Sequence, residues 1–499
     1  MATSASPTRA DAIRIHGDDN VAVAIRAVAE GEIVNGVRVT ENITPGHKIA
    51  LRDLEVGEPV IKYGFPIGVA TQRIAKGSWV HSHNLRTQLE GMLSYKYSPL
   101  AIERTAATGM PTFEGYRRDN GSVGTRNEIW ILNTVGCVNF VAEGIAKNAA
   151  QLLNGAVDGV YAFGHPFGCS QLGDDLSHTQ AVLAGLMRNP NAGGVLVLGL
   201  GCENNQMEAL LARAGNVDRS RMRFFNSQDV GDERESGLAM VAQLAERMKD
   251  DRRVVCPASD LVIGHKCGGS DGFSGVSANA AVGRIADRMT SLGGSVILTE
   301  VPEMFGAEQL LMNRATSEEV YGQLVAMIND FKAYFIRHGQ SIYENPSPGN
   351  KAGGLTTLEE KSLGAIQKGG KAPVSHVVRY GEPAPRGGLT LLEAPGNDGV
   401  SCTAMIASGA TVLLFTTGRG TPLGFPVPTI KISSNSDIAA RKPHWIDFNA
   451  GTLLDGTRTM EELADELFSY ILDVASGKRT NNEQHGYREI AIWKDGVTL

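Results

Sequence analysis

The sequence predicts an α/β protein: a small β-rich N-terminal domain, then a large domain with a mostly parallel sheet, then a C-terminal α/β subdomain. Three observations carry this. From Ile13 to about Leu85 the chain is rich in Val, Ile and Gly, with short runs such as VNGVRVT, KIAL and EPVIKYG. After Tyr116, apolar runs of strand length alternate with segments of helical periodicity, the pattern of βαβ units. The 499 residues exceed what one hydrophobic core usually organises, so two or three domains are expected.

Taken in order, residues 1–92 read as the β domain. Residues 93–116 hold Pro99, Gly109 and Pro111 without sustained periodicity and read as a linker. Within 117–385, EIWILNTVG, GVYAFG, GGVLVLGLG, DLVIGH and SVILTE read as buried strands. FVAEGIAKNAAQLL, LSHTQAVLAGLMRN, NQMEALLARAG and ANAAVGRIADRMTSLG read as the helices between them. The helical stretch SEEVYGQLVAMINDFKAYFIRHG precedes a Pro/Gly-rich segment from Asn345 to Gly370. Residues 386–499 return to strands and end in the amphipathic helix TMEELADELFSYILDVASG.

Composition narrows the function. A net charge of -7 offers no footprint for a phosphate backbone, so nucleic acid is not an expected partner. The N-terminus has no apolar core after its few charges, and runs such as Val195 to Leu200 are too short to span a bilayer, so a cytoplasmic protein without a membrane partner is expected. Six cysteines in so long a chain do not make a disulfide scaffold.

The placement of those cysteines is the main chemical clue. Cys137, Cys169, Cys202 and Cys267 each closely follow a predicted strand and precede a predicted helix. Open parallel sheets bind ligands outside the carboxyl ends of their strands, so the four thiols are expected to converge on one edge. Thiolates suit iron, as Fe2+ or as an iron–sulfur cluster, and no compact CxxC pair suggests a zinc ribbon. A buried structural role is the alternative for any one of them, and is expected for Cys256 and Cys402.

Histidines form a second group. His16, His47, His81 and His83, of eleven in the chain, fall in the β domain; if that domain caps the sheet edge, His16 or His47 is placed to move protons. His165 shares a loop with Cys169. Glu203, Asn204, Ser270, Asp271, Glu300 and Glu303 sit at further strand ends, and Lys351 and Arg419 lie in Gly/Pro-rich loops. Together they offer the bases, cations and hydrogen-bond partners that a small carboxylate substrate needs, although each alone is more often a solvated group. Which of them is the base stays open, as does the oligomeric state, with a homodimer among the expectations.

The strings IKYGFPIG, NEIWILNTVGCVN, GCSQLGDD, GLGCENNQ, CGGSDG, TEVPEMFGAEQLLM, ENPSPGNKAGG, TTGRGTP and KPHWIDFNAG, in that order, resemble the altronate/galactarate dehydratase family over nearly the whole chain. The resemblance implies an N-terminal SAF-type β-clip domain, a larger dehydratase domain and dependence on ferrous iron. It also implies dehydration of a sugar acid, D-altronate to 2-keto-3-deoxy-D-gluconate, in hexuronate catabolism, with galactarate or sulfolactate as alternative substrates. HSHN, His81 to Asn84, looks like the altronate branch. One departure is Pro166-Phe167, where that branch suggests Thr-Tyr. A sugar-acid-binding protein without turnover is the reading from another class; the cysteine set argues against it. A nicotinamide oxidoreductase is disfavoured because no G-x-G-x-x-G follows a first strand.

Overall fold

The computed structural model describes residues 10–101, 109–153 and 155–499; part of the N-terminal segment, 1–9, and part of the expected linker, 102–108, lie outside the described residues. The β-rich start folds as expected. Strands Ala12–Ile13, Val21–Ala24, Lys48–Ala50 and Trp79–Val80 form one antiparallel sheet in that spatial order. Pro59–Lys62, Phe65–Ala70 and Leu85–Arg86 form a second. The strands cross so closely that a Cβ on Gly68 (φ +135°) would lie 2.3 Å from the Arg86 carbonyl oxygen, so only glycine fits there.

Beyond residue 117 the alternating pattern makes two parallel sheets. The first runs Val160–Phe163, Glu128–Asn133, Ala192–Gly199, Met222–Asn226. The second has seven strands, in the order Val374–Val378, Gly388–Leu392, Ser295–Leu298, Val262–Cys267, Val412–Thr417, Thr429–Ser433, Phe448–Asn449. Helices cover their faces, which is why these strands read as continuous apolar runs: every residue of Glu128–Asn133 and of Val412–Thr417 is buried. Helices Gly173–Arg188 and Asp398–Ala407 pack between the sheets, with Ala407 so close to Gly185 that a Cβ there would lie 2.4 Å from its carbonyl oxygen.

The divisions along the chain differ from those expected. Residue 385 falls in a loop inside the seven-stranded sheet, because Val374–Val378 and Gly388–Leu392 on either side of it pair with each other. The end of the expected linker is a strand, Thr112–Arg117, paired antiparallel with Val254–Pro257. The Pro/Gly-rich segment contains two helices, Pro348–Ala352 and Leu358–Ala365, and the second is buried throughout. Among the described residues no helix is long and apolar enough to cross a membrane.

Candidate functional site

The four cysteines divide between the sheets instead of converging. Cys137, Cys169 and Cys202 follow Glu128–Asn133, Val160–Phe163 and Ala192–Gly199, three neighbouring strands of the first sheet, and all three thiols are exposed. Cys267 is the last residue of a strand that pairs with Ser295–Leu298 and Val412–Thr417; it belongs to the second sheet and is buried.

The loops of the first edge are tied tightly to one another. The backbone amide of Ser170 donates to Asn204 Oδ1 (2.7 Å), Asn205 Nδ2 donates to the Thr134 carbonyl (2.9 Å), and the Gly136 amide donates to the Phe167 carbonyl (2.9 Å). His165 is buried among them. Its Nδ1 accepts from the Phe167 amide, so Nε2 carries the proton and donates to the Asn133 carbonyl (2.8 Å). Burial lowers its pKa, and with both nitrogens taken by backbone it braces the Cys137 and Cys169 loops. Burial opposes ionisation of Glu203, but hydrogen bonds from Thr134 Oγ1 and from the Gly201 and Leu200 amides outweigh it and hold the carboxyl below its ordinary range. Glu203 fixes the turn that presents Cys202.

At the second edge Cys267 lies in a buried cluster of charges. Its Sγ is 2.7 Å from Lys368 Nζ and 3.4 Å from Glu303 Oε2. Lys368 also pairs with Glu300 (2.9 Å), Lys361 with Glu303 (2.9 Å), and Lys266 with Glu300 and Asp398. Glu300 holds a left-handed backbone (φ 72°) to place its carboxylate under Lys266 and Lys368. Burial, reinforced by Glu300, pushes the Cys267 thiol up to about 12. Burial opposes ionisation of Glu303 too, but the ammonium groups of Lys361, Lys266 and Lys368 bring it down to about 2. Among the described residues, Cys267, Glu300 and Glu303 form the one set of three metal-type donors whose ligand atoms lie within 4.8 Å of one another. Lys368 already supplies the cation these donors surround.

Above this cluster the loop Gly268–Asp271 leads to a cleft of about 730 Å³ between the N-terminal domain and the second edge. Arg26 and Pro45 line it from one side, Asp271, Arg419 and Asn435 from the other. Asp271 is buried, which raises its pKa, and it accepts from Ser434, Ser274, Asn435 and the Phe273 amide. Arg26 is saturated by Asp11 and Glu32 and Arg441 pairs with Asp437, whereas the exposed Arg419 guanidinium has no side-chain partner among the described residues. Ser270 is buried behind Asp271, its carbonyl accepting from Asn350 Nδ2 (2.8 Å). Lys351 lies in the short helix Pro348–Ala352, not in an open loop as expected, and its ammonium group also lacks a side-chain partner among the described residues.

The two N-terminal histidines fare differently. His16 is exposed and turned onto Asp18 and Gly64, away from the cleft lining. His47 reaches the cleft wall at the Ala352 carbonyl. Sequence reasoning missed Lys266, Lys361, Lys368 and Asp398. The lysines sit inside apolar runs or helical segments where nothing local marks them as buried; only the fold gathers them.

Three family models match successive parts of the chain. Residues 10–88 match the altronate/galactarate dehydratase SAF domain, 115–249 the D-galactarate dehydratase/altronate hydrolase second domain, and 258–498 the D-galactarate/altronate dehydratase C-terminal domain. Over 493 residues the chain is 50% identical to altronate dehydratase of Escherichia coli (strain K12) and 49% identical to altronate dehydratase of Bacillus subtilis (strain 168), in each case covering 98% of this chain and 99% of the relative. It is 37% identical over 510 residues, 96% of each chain, to galactarate dehydratase (L-threo-forming) of Escherichia coli (strain K12). The chain belongs to the altronate/galactarate dehydratase family, a family of hydro-lyases.

Proposed function

We propose that this protein dehydrates D-altronate to 2-keto-3-deoxy-D-gluconate, with iron as cofactor, in hexuronate breakdown. The observation that carries the choice of substrate is the gap in identity, 50% and 49% to two altronate dehydratases against 37% to a galactarate dehydratase, over nearly complete chains.

In this reading the Arg419 guanidinium receives the substrate carboxylate in the cleft, since it lines the cleft together with Asp271 and, unlike Arg26 and Arg441, has no carboxylate partner among the described residues. Asp271, held by four donors, is a fixed acceptor for a sugar hydroxyl. Lys351, next in sequence to Ala352 of this wall and without a side-chain partner among the described residues, is the group assigned to proton transfer. Removal of the C2 proton builds charge on the carboxylate, and a guanidinium paired with it stabilises that charge. The C3 hydroxyl then departs, and the enol that remains takes a proton at C3 to become the 2-keto acid.

For iron, Cys137, Cys169 and Cys202 are the donors assigned: exposed thiols on three adjacent loops, their sulfur atoms not all within the 4.8 Å of one another that ligands of a single ion need, which favours an iron–sulfur cluster over one Fe2+. Cys267 does not fit, because the Lys368 ammonium group, 2.7 Å from its buried sulfur and paired with Glu300, competes with a metal ion for the same donors. When bound, iron supplies Lewis-acid polarisation of carboxylate and hydroxyl oxygens. The test is a panel of D-altronate, galactarate and sulfolactate on anaerobically purified protein, read as keto-acid formation. D-Altronate is expected to be turned over with the highest kcat/KM; preference for another acid overturns the assignment.

A further inference from the structure

Four consecutive carbonyl oxygens, from Lys351 to Gly354, each face an N–H donor from outside the segment, and the Lys351 oxygen also accepts from the Gly354 amide (2.9 Å). His81 Nε2 lies 2.9 Å from the Lys351 oxygen and His47 Nε2 3.4 Å from the Ala352 oxygen. The Gly272 amide donates to Gly353 (2.8 Å) and Lys48 Nζ to Gly354 (2.8 Å). Three of the four donors come from the N-terminal domain, while Ala352 and Gly353 line the cleft beside Asp271. The backbones meet without side chains between them: a Cβ on Gly354 would lie 2.2 Å from the Gly46 carbonyl oxygen.

The hydrogen bonds also decide the tautomers. Trp79 Nε1–H is a donor only, and it lies 3.0 Å from His47 Nδ1, so that nitrogen accepts and the ring proton sits on Nε2, facing Ala352. In His81, Nε2 faces a carbonyl and must carry the proton, leaving Nδ1 to accept from Ser82 Oγ (2.9 Å). The two rings stack with centroids 5.1 Å apart. Neither has a free lone pair for taking a proton from a substrate. Burial lowers the pKa of both, in keeping with neutral rings.

We infer that His47, His81 and Lys48 are positioning residues: the N-terminal domain clamps the 351–354 backbone and so sets the cleft wall against which the sugar acid binds. The expectation that His47 itself moves protons is thereby replaced. The inference rests on the cleft being the substrate site, as proposed above.

Two pairs of variants test it. His81→Phe keeps the ring volume and removes the donor; His81→Gln supplies an N–H at the same reach. His47→Phe and His47→Gln do the same for the second ring. Each Phe variant is expected to lower kcat/KM about tenfold, chiefly through KM, by removing the donor that ties the N-terminal domain to the Lys351 or Ala352 carbonyl, and each Gln variant to restore it to within about threefold. The pH–rate profile of His47→Gln keeps the limbs of the unmodified enzyme. Loss of a limb, or a fall of about a thousandfold in kcat that Gln does not rescue, marks an essential base and overturns the proposal. Hydrogen exchange of the amides in 350–356 provides a readout free of turnover: faster in both Phe variants, unchanged in both Gln variants. Unchanged exchange in the Phe variants refutes the clamp. Exchange that responds as expected, in a protein that turns over no sugar acid, would sink the proposed function and leave the clamp standing.

Discussion

Glu360 carries the heaviest electrostatic duty in the docking of the N-terminal domain, and replacing it gives a large, directional prediction. Its carboxylate is fully buried, 2.9 Å from Lys48 Nζ and 2.7 Å from Lys62 Nζ, two lysines that are themselves buried and come from the other side of the interface. Thr356 donates to it through both its amide and its hydroxyl. Glu360→Gln keeps the shape and leaves two ammonium groups in the interior with no counter-charge; breaking a buried pair in this way costs about 3–5 kcal/mol. The cost has a definite pH dependence. One carboxylate serves two lysines, and burial already lowers Lys48 to about 8, below its ordinary value. A lysine whose folded pKa is depressed makes folding more favourable as pH rises from that value toward about 10.4, because the unfolded chain then holds the extra proton. Losing Glu360 depresses Lys48 further and widens that window. Urea unfolding, followed by hydrogen exchange in 48–62 and 354–361, is therefore expected to show a deficit of about 3–5 kcal/mol at pH 7 that shrinks by pH 9.5. A deficit below about 1 kcal/mol, equal at both pH values, would place the pair among solvent-screened surface bridges and refute the reasoning.

Other expectations follow from the two sheet edges. Cys202→Ser should lower the iron content of anaerobically purified protein, whereas Cys267→Ser should leave it unchanged; the reverse pattern would move the iron to the buried cluster. Arg419→Met removes the guanidinium assigned to the substrate carboxylate and should raise KM for a sugar acid by about ten- to a hundredfold, the worth of a charged hydrogen bond, with circular dichroism unaltered. Glu303, held at about 2 in the folded state, contributes stability above the ordinary carboxylate pKa of about 4.3 that is lost as pH falls toward 2. Acid unfolding should accordingly be shallower in Glu303→Gln between those values, measured against its own stability at pH 6.

Much of this arrangement was legible from residue patterns. The buried strands announce themselves as apolar runs bounded by glycine, and the helices by their three- and four-residue spacing, because parallel sheets are covered on both faces. The loops bearing Cys137, Cys169 and Cys202 were placed at strand ends by the same pattern. What patterning does not contain is strand order. The run ending in Cys267 looks like the others, yet its partners are Ser295–Leu298 and Val412–Thr417, and only that pairing moves the thiol to a second sheet. Buried lysines are equally silent: Lys266 lies in a strand, Lys368 in a helical turn, and their carboxylate partners are tens of residues away. His47 and His81 were visible as a local excess of histidine, but their role as donors depends on Trp79, Ser82 and a backbone segment some 270 to 305 residues distant.

The most direct test of the central claim is the fate of hydrogen during turnover. With D-altronate in D2O, removal of the C2 proton and loss of the C3 hydroxyl leave an enol that collects one solvent deuteron at C3. Proton and carbon NMR of the product should show 2-keto-3-deoxy-D-gluconate carrying a single deuterium at C3. Absence of that keto acid, or deuterium at a different carbon, would contradict the assignment of this chain as an altronate-dehydrating hydro-lyase.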